Sequence, residues 1–158
     1  MNKTVTCVKN PVSRIAKNEL FLYSFEEDHN GHKYVMYEGR YTYTQAVATC
    51  AQGGGIIAMA ADKNTFNIFS SLYWMYSLQG GAINGVFLDG SNGVVKPNFS
   101  GWYCMSTAAS CPTAMPWQSG QTGGDGQQKC VASLGQYEQG VAAVSCSQKL
   151  MAMCKYTI

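Results

Sequence analysis

The sequence predicts an α+β domain in which two helices pack on small antiparallel sheets beside a long irregular loop region, with disulfides holding the parts together. Three observations predict it. Cysteines stand at Cys50, Cys130, Cys146 and Cys154, a spacing that implies two nested cross-links: a long one from an early helix to the last strand, and a short one across a hairpin. Two segments carry helical apolar spacing between a capping residue and a run of glycines. The other apolar runs are short, and the stretch from Ser91 to Gly126, about 35 residues, has little periodicity of either kind.

The elements follow in order. Residues 1–19 are polar, contain Pro11 and read as an extended N-terminal arm; residues 20–158 form the domain. Leu20 to Phe25 and Lys33 to Tyr37 read as strands, joined at Asn30-Gly31, a hairpin turn signal. Thr42-Tyr43-Thr44-Gln45 has the form of a capping box. Tyr43, Ala46, Val47 and Cys50 then recur at helix spacing until Gly53-Gly54-Gly55 ends the helix, and Ile56 to Ala58 is a short strand. Asp62 can cap a second helix whose stripe is Phe66, Phe69, Tyr73 and Tyr76, read as core packing, with Gly80-Gly81 as its stop. Val86 to Leu88 is a strand ending at Asp89-Gly90. In the loop region Trp102, Tyr103, Trp117 and a local disulfide, Cys104–Cys111, argue for order. Lys129 to Leu134, Val141 to Ser145 and Leu150 to Tyr156 are the closing strands.

Composition bounds the function. The chain has 158 residues, a one-domain length, with 46% hydrophobic and 13% charged residues. A net charge of +2 without a basic run points away from nucleic acid. No apolar stretch reaches the ~18 residues needed to cross a bilayer. Met1 leads straight into polar residues, so Met1 is read as an internal boundary with any export signal removed. Seven cysteines imply an oxidising compartment and hence a secreted, extracellular protein, and the acceptors Asn2-Lys3-Thr4 and Asn98-Phe99-Ser100 agree. Close Cys-x2-Cys pairs of the kind metal sites use are absent. Nor is there a Gly-x-Ser-x-Gly elbow or a phosphate loop, which points away from an enzyme. The histidines of Asp28-His29-Asn30-Gly31-His32 and the acids Glu26-Glu27-Asp28 read as solvated turn residues.

The pieces taken together resemble a C-type lectin-like domain over residues 20–158. Tyr43-x2-Ala46-x3-Cys50 with Gly53 to Ala58 resembles the family's first helix and following strand. Val86-Phe87-Leu88-Asp89-Gly90-Ser91 resembles its buried central strand, and Trp117-x2-Gly120 the start of its ligand-binding loop. Cys130-Val131-Ala132, Val144-Ser145-Cys146 and Met153-Cys154 resemble its terminal disulfide strands. The resemblance implies the pairs Cys50–Cys154 and Cys130–Cys146. Cys7 is left over, either as a buried or disordered thiol or as an intermolecular disulfide joining two copies.

Members that bind sugar through calcium need oxygen-bearing side chains at set positions, because calcium takes six to eight hard oxygen ligands. Here those positions fall on Gln121-Thr122-Gly123, on Gln127 or Gln128, and on Val141-Ala142-Ala143, leaving Asp125 as the loop's one carboxylate. The resemblance therefore implies neither a metal site nor any cofactor. It implies a calcium-independent lectin similar to certain invertebrate lectins, with glycans or glycoproteins, some N-acetylated, as partners. Trp102, Tyr103, Trp117 and Tyr137 would stack on sugar rings; Gln121, Asp125, Gln127 and Gln128 would bond hydroxyls. Alternatives stay beside this reading: Trp102 and Trp117 as core of the loop region, Asp125 as a turn residue, and the whole fold serving protein recognition without sugar.

Overall fold

Two long strands open the chain, β1 (Val5–Ile15) and β2 (Asn18–His29). The structure, a computed structural model, describes residues 5–15, 18–78, 85–113, 115–118, 129–133 and 140–158. Within the stretch expected as an extended arm, β1 pairs antiparallel with β2 from Val5 opposite Glu27 to Ile15 opposite Asn18. A register shift between Pro11 and Ser13 takes up the proline, which has no N–H to give a ladder and is tolerated at edges and bulges. The acids Glu26, Glu27 and Asp28, expected in a solvated turn, belong to β2. Glu27 is 1% exposed, and Glu26 meets Lys33 across the strands at 3.6 Å. The turn itself is Asn30-Gly31, with φ of 50° and 77°, the positive pair that a two-residue hairpin of this twist requires.

From there β3 (His32–Tyr41) leads into α1 (Tyr43–Gln52). Its start is the expected capping box: the Gln45 N–H donates to Thr42 Oγ1 at 3.4 Å and the Thr42 N–H to Gln45 Oε1 at 2.9 Å, an arrangement worth about 1 kcal/mol. After β4 (Ile56–Ile57) comes α2 (Lys63–Leu78). Asp62 caps it, accepting from the Thr65 N–H at 2.9 Å and the Thr65 hydroxyl at 3.1 Å; these bonds hold its carboxyl below the usual range. The remaining strands are β5 (Val86–Asn92), β6 (Tyr103–Cys104), β7 (Ala109–Ser110), β8 (Lys129–Ser133), β9 (Ala142–Ser145) and β10 (Leu150–Thr157). β5 does not stop at Asp89-Gly90 but runs on to Asn92, with its register against β8 shifting between Phe87 and Ser91.

The strands join into one sheet in the order β1-β2-β3-β10-β5-β6-β7, with β4 beside β10 and β8 bridging β5 to β9. All its pairs are antiparallel except β10 with β5, so the expected small antiparallel sheets are one mixed sheet. Its centre is covered on both faces, and the period of two along a strand shows it. In β10, Met151 and Met153 join Phe66, Ile68, Phe69 and Leu72 of α2; Leu150, Ala152 and Cys154 join Tyr43, Ala46 and Cys50 of α1. β5 divides likewise, Val86 and Leu88 to the α2 side and Phe87 to the α1 side. Each large side chain so buried contributes roughly 1.5–3 kcal/mol. Among the described residues no helix is long and apolar enough to cross a membrane.

Three disulfides staple this frame: Cys50–Cys154, Cys130–Cys146 and Cys104–Cys111, with Cα separations of 5.3, 5.1 and 4.8 Å. They are the three pairs expected. Cys7 lies in β1, opposite Phe25.

Candidate functional site

The loop region after β5 is organised from inside by one carboxylate. Asp89 is fully buried. Its Oδ1 accepts from the Met105 N–H at 2.8 Å and its Oδ2 from the Ser106 N–H at 2.7 Å. One side chain thereby fixes the turn that follows β6 and leads into β7. The Cys104–Cys111 disulfide closes the same hairpin, and the Cys111 N–H donates to the Trp102 carbonyl at 2.9 Å. Burial pushes the Asp89 carboxyl up, and the two backbone N–H bonds oppose that shift without cancelling it. The sequence shows Asp89 only as part of an Asp-Gly dipeptide; an acid directly after the apolar run Val86-Phe87-Leu88 is the signal that it stays inside.

Trp102 precedes β6, half-buried, and its ring meets that of Trp117 at a centroid distance of 5.2 Å and an angle of 51°. Both indoles pack on the α2-side core. The Trp102 Nε1 is buried and finds no acceptor among the described residues. Trp117 is set by a backbone clasp: the Gln118 N–H donates to the Val141 carbonyl, and the Val141 N–H to the Pro116 carbonyl, each at 2.8 Å. Gly140 lets the two segments approach this closely. A Cβ there would collide with the Pro116 carbonyl oxygen and stand 2.9 Å from the Gln118 nitrogen.

Tyr103 does not join the indole pair. Successive residues of an extended segment face opposite ways, and Tyr103 meets Phe99 edge-on at 5.2 Å and 71°, with Lys96 Nζ 5.8 Å from its ring centroid. Phe99 and Lys96 were not among the expected site residues. Of those that were, Trp102 and Trp117 come together and Tyr103 sits apart, while Gln121, Asp125, Gln127, Gln128 and Tyr137 lie outside the described residues.

Val141 and Ala142 are buried at 0% and 1%, and Ala142 and Ala143 pair with Ala132 and Val131 across β9 and β8. Their side chains offer packing surface and no oxygen. Among the described residues no cluster of three His, Cys, Asp or Glu side chains could hold a metal.

The sequence matches no protein-family model and no curated protein. Solved structures do match in shape. Human lithostathine superposes with a TM-score of 0.67 at 19% identity, over 84% of this chain and 88% of its own. The chain has the C-type lectin-like fold. Two further structures with this fold are the cow C-type carbohydrate-recognition domain of CD23, solved in the presence of a GlcNAc2Man3 oligosaccharide, and the herring type II antifreeze protein. The first gives a TM-score of 0.61 at 16% identity, over 82% of this chain and 91% of its own; the second 0.62 at 14%, over 84% and 96%. Of the two indoles, Trp117 is the one that leads in sequence into residues 119–128.

Proposed function

We propose that this lectin-like domain is a secreted carbohydrate-binding protein that recognises glycans without calcium, N-acetylated sugars among them. The observation that carries the reading is the half-buried Trp102–Trp117 pair, held rigid by the clasp to Val141 at the entrance to the loop. An indole fixed by packing offers a flat apolar face to the C–H side of a pyranose at little entropic cost. In this reading Gln121, Asp125, Gln127 and Gln128 bond the sugar's hydroxyls, and Tyr137 offers a further stacking ring. Calcium independence is supported by the methyl groups of Ala142 and Ala143 where ligands would be needed. Secretion is supported by the disulfides and by the exposed acceptor Asn98. The fold of the cow carbohydrate-recognition domain is compatible with a sugar ligand.

A glycan array read in calcium and in EDTA tests this on the wild type, Trp117→Ala and Asp125→Ala. The expected result is equal wild-type binding in both buffers, lost in both variants. Binding abolished by EDTA would overturn the calcium-independent reading. The contact of both indoles with the core favours a second reading, protein recognition without a sugar. A blank array beside a robust protein partner would establish that one instead.

A dimer linked through Cys7 belongs to the same proposal. Three disulfides take six of the seven cysteines, and β1 ends the strand order, where a second copy can reach it. Non-reducing electrophoresis is expected to show a dimer that Cys7→Ser abolishes; monomer alone in the wild type rules it out.

A further inference from the structure

A groove of about 400 Å³ lies on the other side of the sheet, between the end of β3 and the outer face of α1. Arg40 and Tyr41 form one wall. Gln45, Ala48, Thr49 and Gln52 form the other, at the i, i+3, i+4, i+7 spacing of a single helix stripe. The helix has no charged residue from Tyr43 to Gln52, although the solvent face of a surface helix is ordinarily charged. Its wall is instead amide, hydroxyl and methyl. Arg40 is exposed and makes no ion pair among the described residues.

The wall's hydrogen-bonding capacity is partly committed. Gln45 Oε1 accepts from the Thr42 N–H and the Thr49 hydroxyl donates to the Gln45 carbonyl, both at 2.9 Å. The Gln45 Nε2, the Gln52 amide and the Arg40 guanidinium remain. Tyr41 is held in place because its ring rests on Gly39, where a Cβ would stand 2.7 Å from Cε2, Cζ and Oη. The groove thus combines one cation, a fixed aromatic edge, neutral donors and no carboxylate. Its volume suits one or two sugar rings.

We infer that this groove is a second binding site, separate from the indole pair, for an acidic saccharide unit: a pyranose whose carboxylate or sulfate pairs with Arg40 while its hydroxyls bond Gln45 and Gln52. A guanidinium binds either anion through a two-pronged, charge-assisted contact, and the amides bond hydroxyls on an adjoining ring edge.

Amide NMR of the whole chain tests it, titrating methyl β-glucuronide, glucose 6-sulfate and neutral methyl β-glucoside. Both acids are expected to shift the Gln45, Ala48 and Gln52 amides, with the neutral sugar at least about tenfold weaker. A response to only one acid also supports the site and assigns its anion. Arg40→Gln should weaken binding about tenfold, and Ala48→Glu, which puts a carboxylate in the groove, should abolish it. Both positions are exposed, so an unchanged thermal midpoint checks that each variant is folded. Equal shifts by the neutral sugar, unaltered binding by Arg40→Gln, or shifts confined to the indole N–H signals would each overturn the inference. The readout is on α1, so its outcome is independent of the glycan array.

Discussion

Replacing Cys50 and Cys154 together by alanine is expected to lower the unfolding free energy by about 4–5 kcal/mol and Tm by roughly 10–20 °C. The bond joins residues 104 apart, so its main effect is on the unfolded chain, which loses the freedom to separate its ends. In the folded state both sulfurs are fully buried on the α1 side of the sheet, where α1 meets β10. The double variant avoids leaving a free thiol there. The same change at Cys130 and Cys146, 16 apart, should cost about 3 kcal/mol. Urea denaturation of both double variants measures the difference. A smaller loss for the long bridge than for the short one would mean that the unfolded chain is already confined, and would sink the entropic account.

What the sequence made legible here was local chemistry. Thr42-x2-Gln45 and Asp62 cap their helices, and Asn30-Gly31 turns its hairpin, because each acts through side chains or dihedrals within four residues. The cysteine spacing pointed to two nested cross-links and a local one, and the resemblance assigned the nested pairs, since spacing alone leaves other pairings possible. The misses share a different cause. β1 is polar and contains Pro11, which reads as an arm; it is a strand because β2 offers it a partner along its length. Glu27 reads as solvated until the hairpin lies against the domain. Asp89-Gly90 reads as a turn, yet the strand continues through it with a shift in register. Such outcomes depend on neighbours distant in the chain, which override local propensity.

The candidate site was legible as a set of residue types but not as a constellation. Trp102 and Tyr103 are adjacent, and adjacent residues in an extended segment diverge, so Tyr103 meets Phe99 while Trp102 meets Trp117. The pairing of Trp102 with Trp117 depends on the Cys104–Cys111 hairpin and on the clasp to Val141, both products of the fold. The uncharged outer face of α1 was visible in the sequence throughout. It acquires meaning once β3 delivers Arg40 and Tyr41 beside it.

Asp89 is where fold and site meet, and its removal is the other large effect expected. Asp89→Ala strips the Met105 and Ser106 N–H groups of charge-assisted partners, at an expected cost of about 2–3 kcal/mol. Asp89→Asn should lose nearly as much, because its amide turns a donor toward one of two N–H donors. The acid dependence has a definite sign. Burial, the larger influence, raises the folded carboxyl above its ordinary 3.8 despite the two bonds. A carboxyl raised on folding contributes stability that is fully present below its unfolded value and is lost as pH rises through the folded one. The wild type's advantage over Asp89→Asn should therefore grow as pH falls from neutrality toward 3.8. Asp62 titrates in the opposite sense, its carboxyl lowered by the Thr65 bonds, but it is present in both proteins and cancels in the comparison. Urea melts of the pair at several pH values measure this; an advantage that vanishes on acidification would show that the two N–H bonds outweigh burial. Near-ultraviolet circular dichroism supplies the functional half of the test. If Asp89 holds the hairpin that presents Trp102, both variants should weaken the signal of the Trp102–Trp117 contact under conditions where they remain folded.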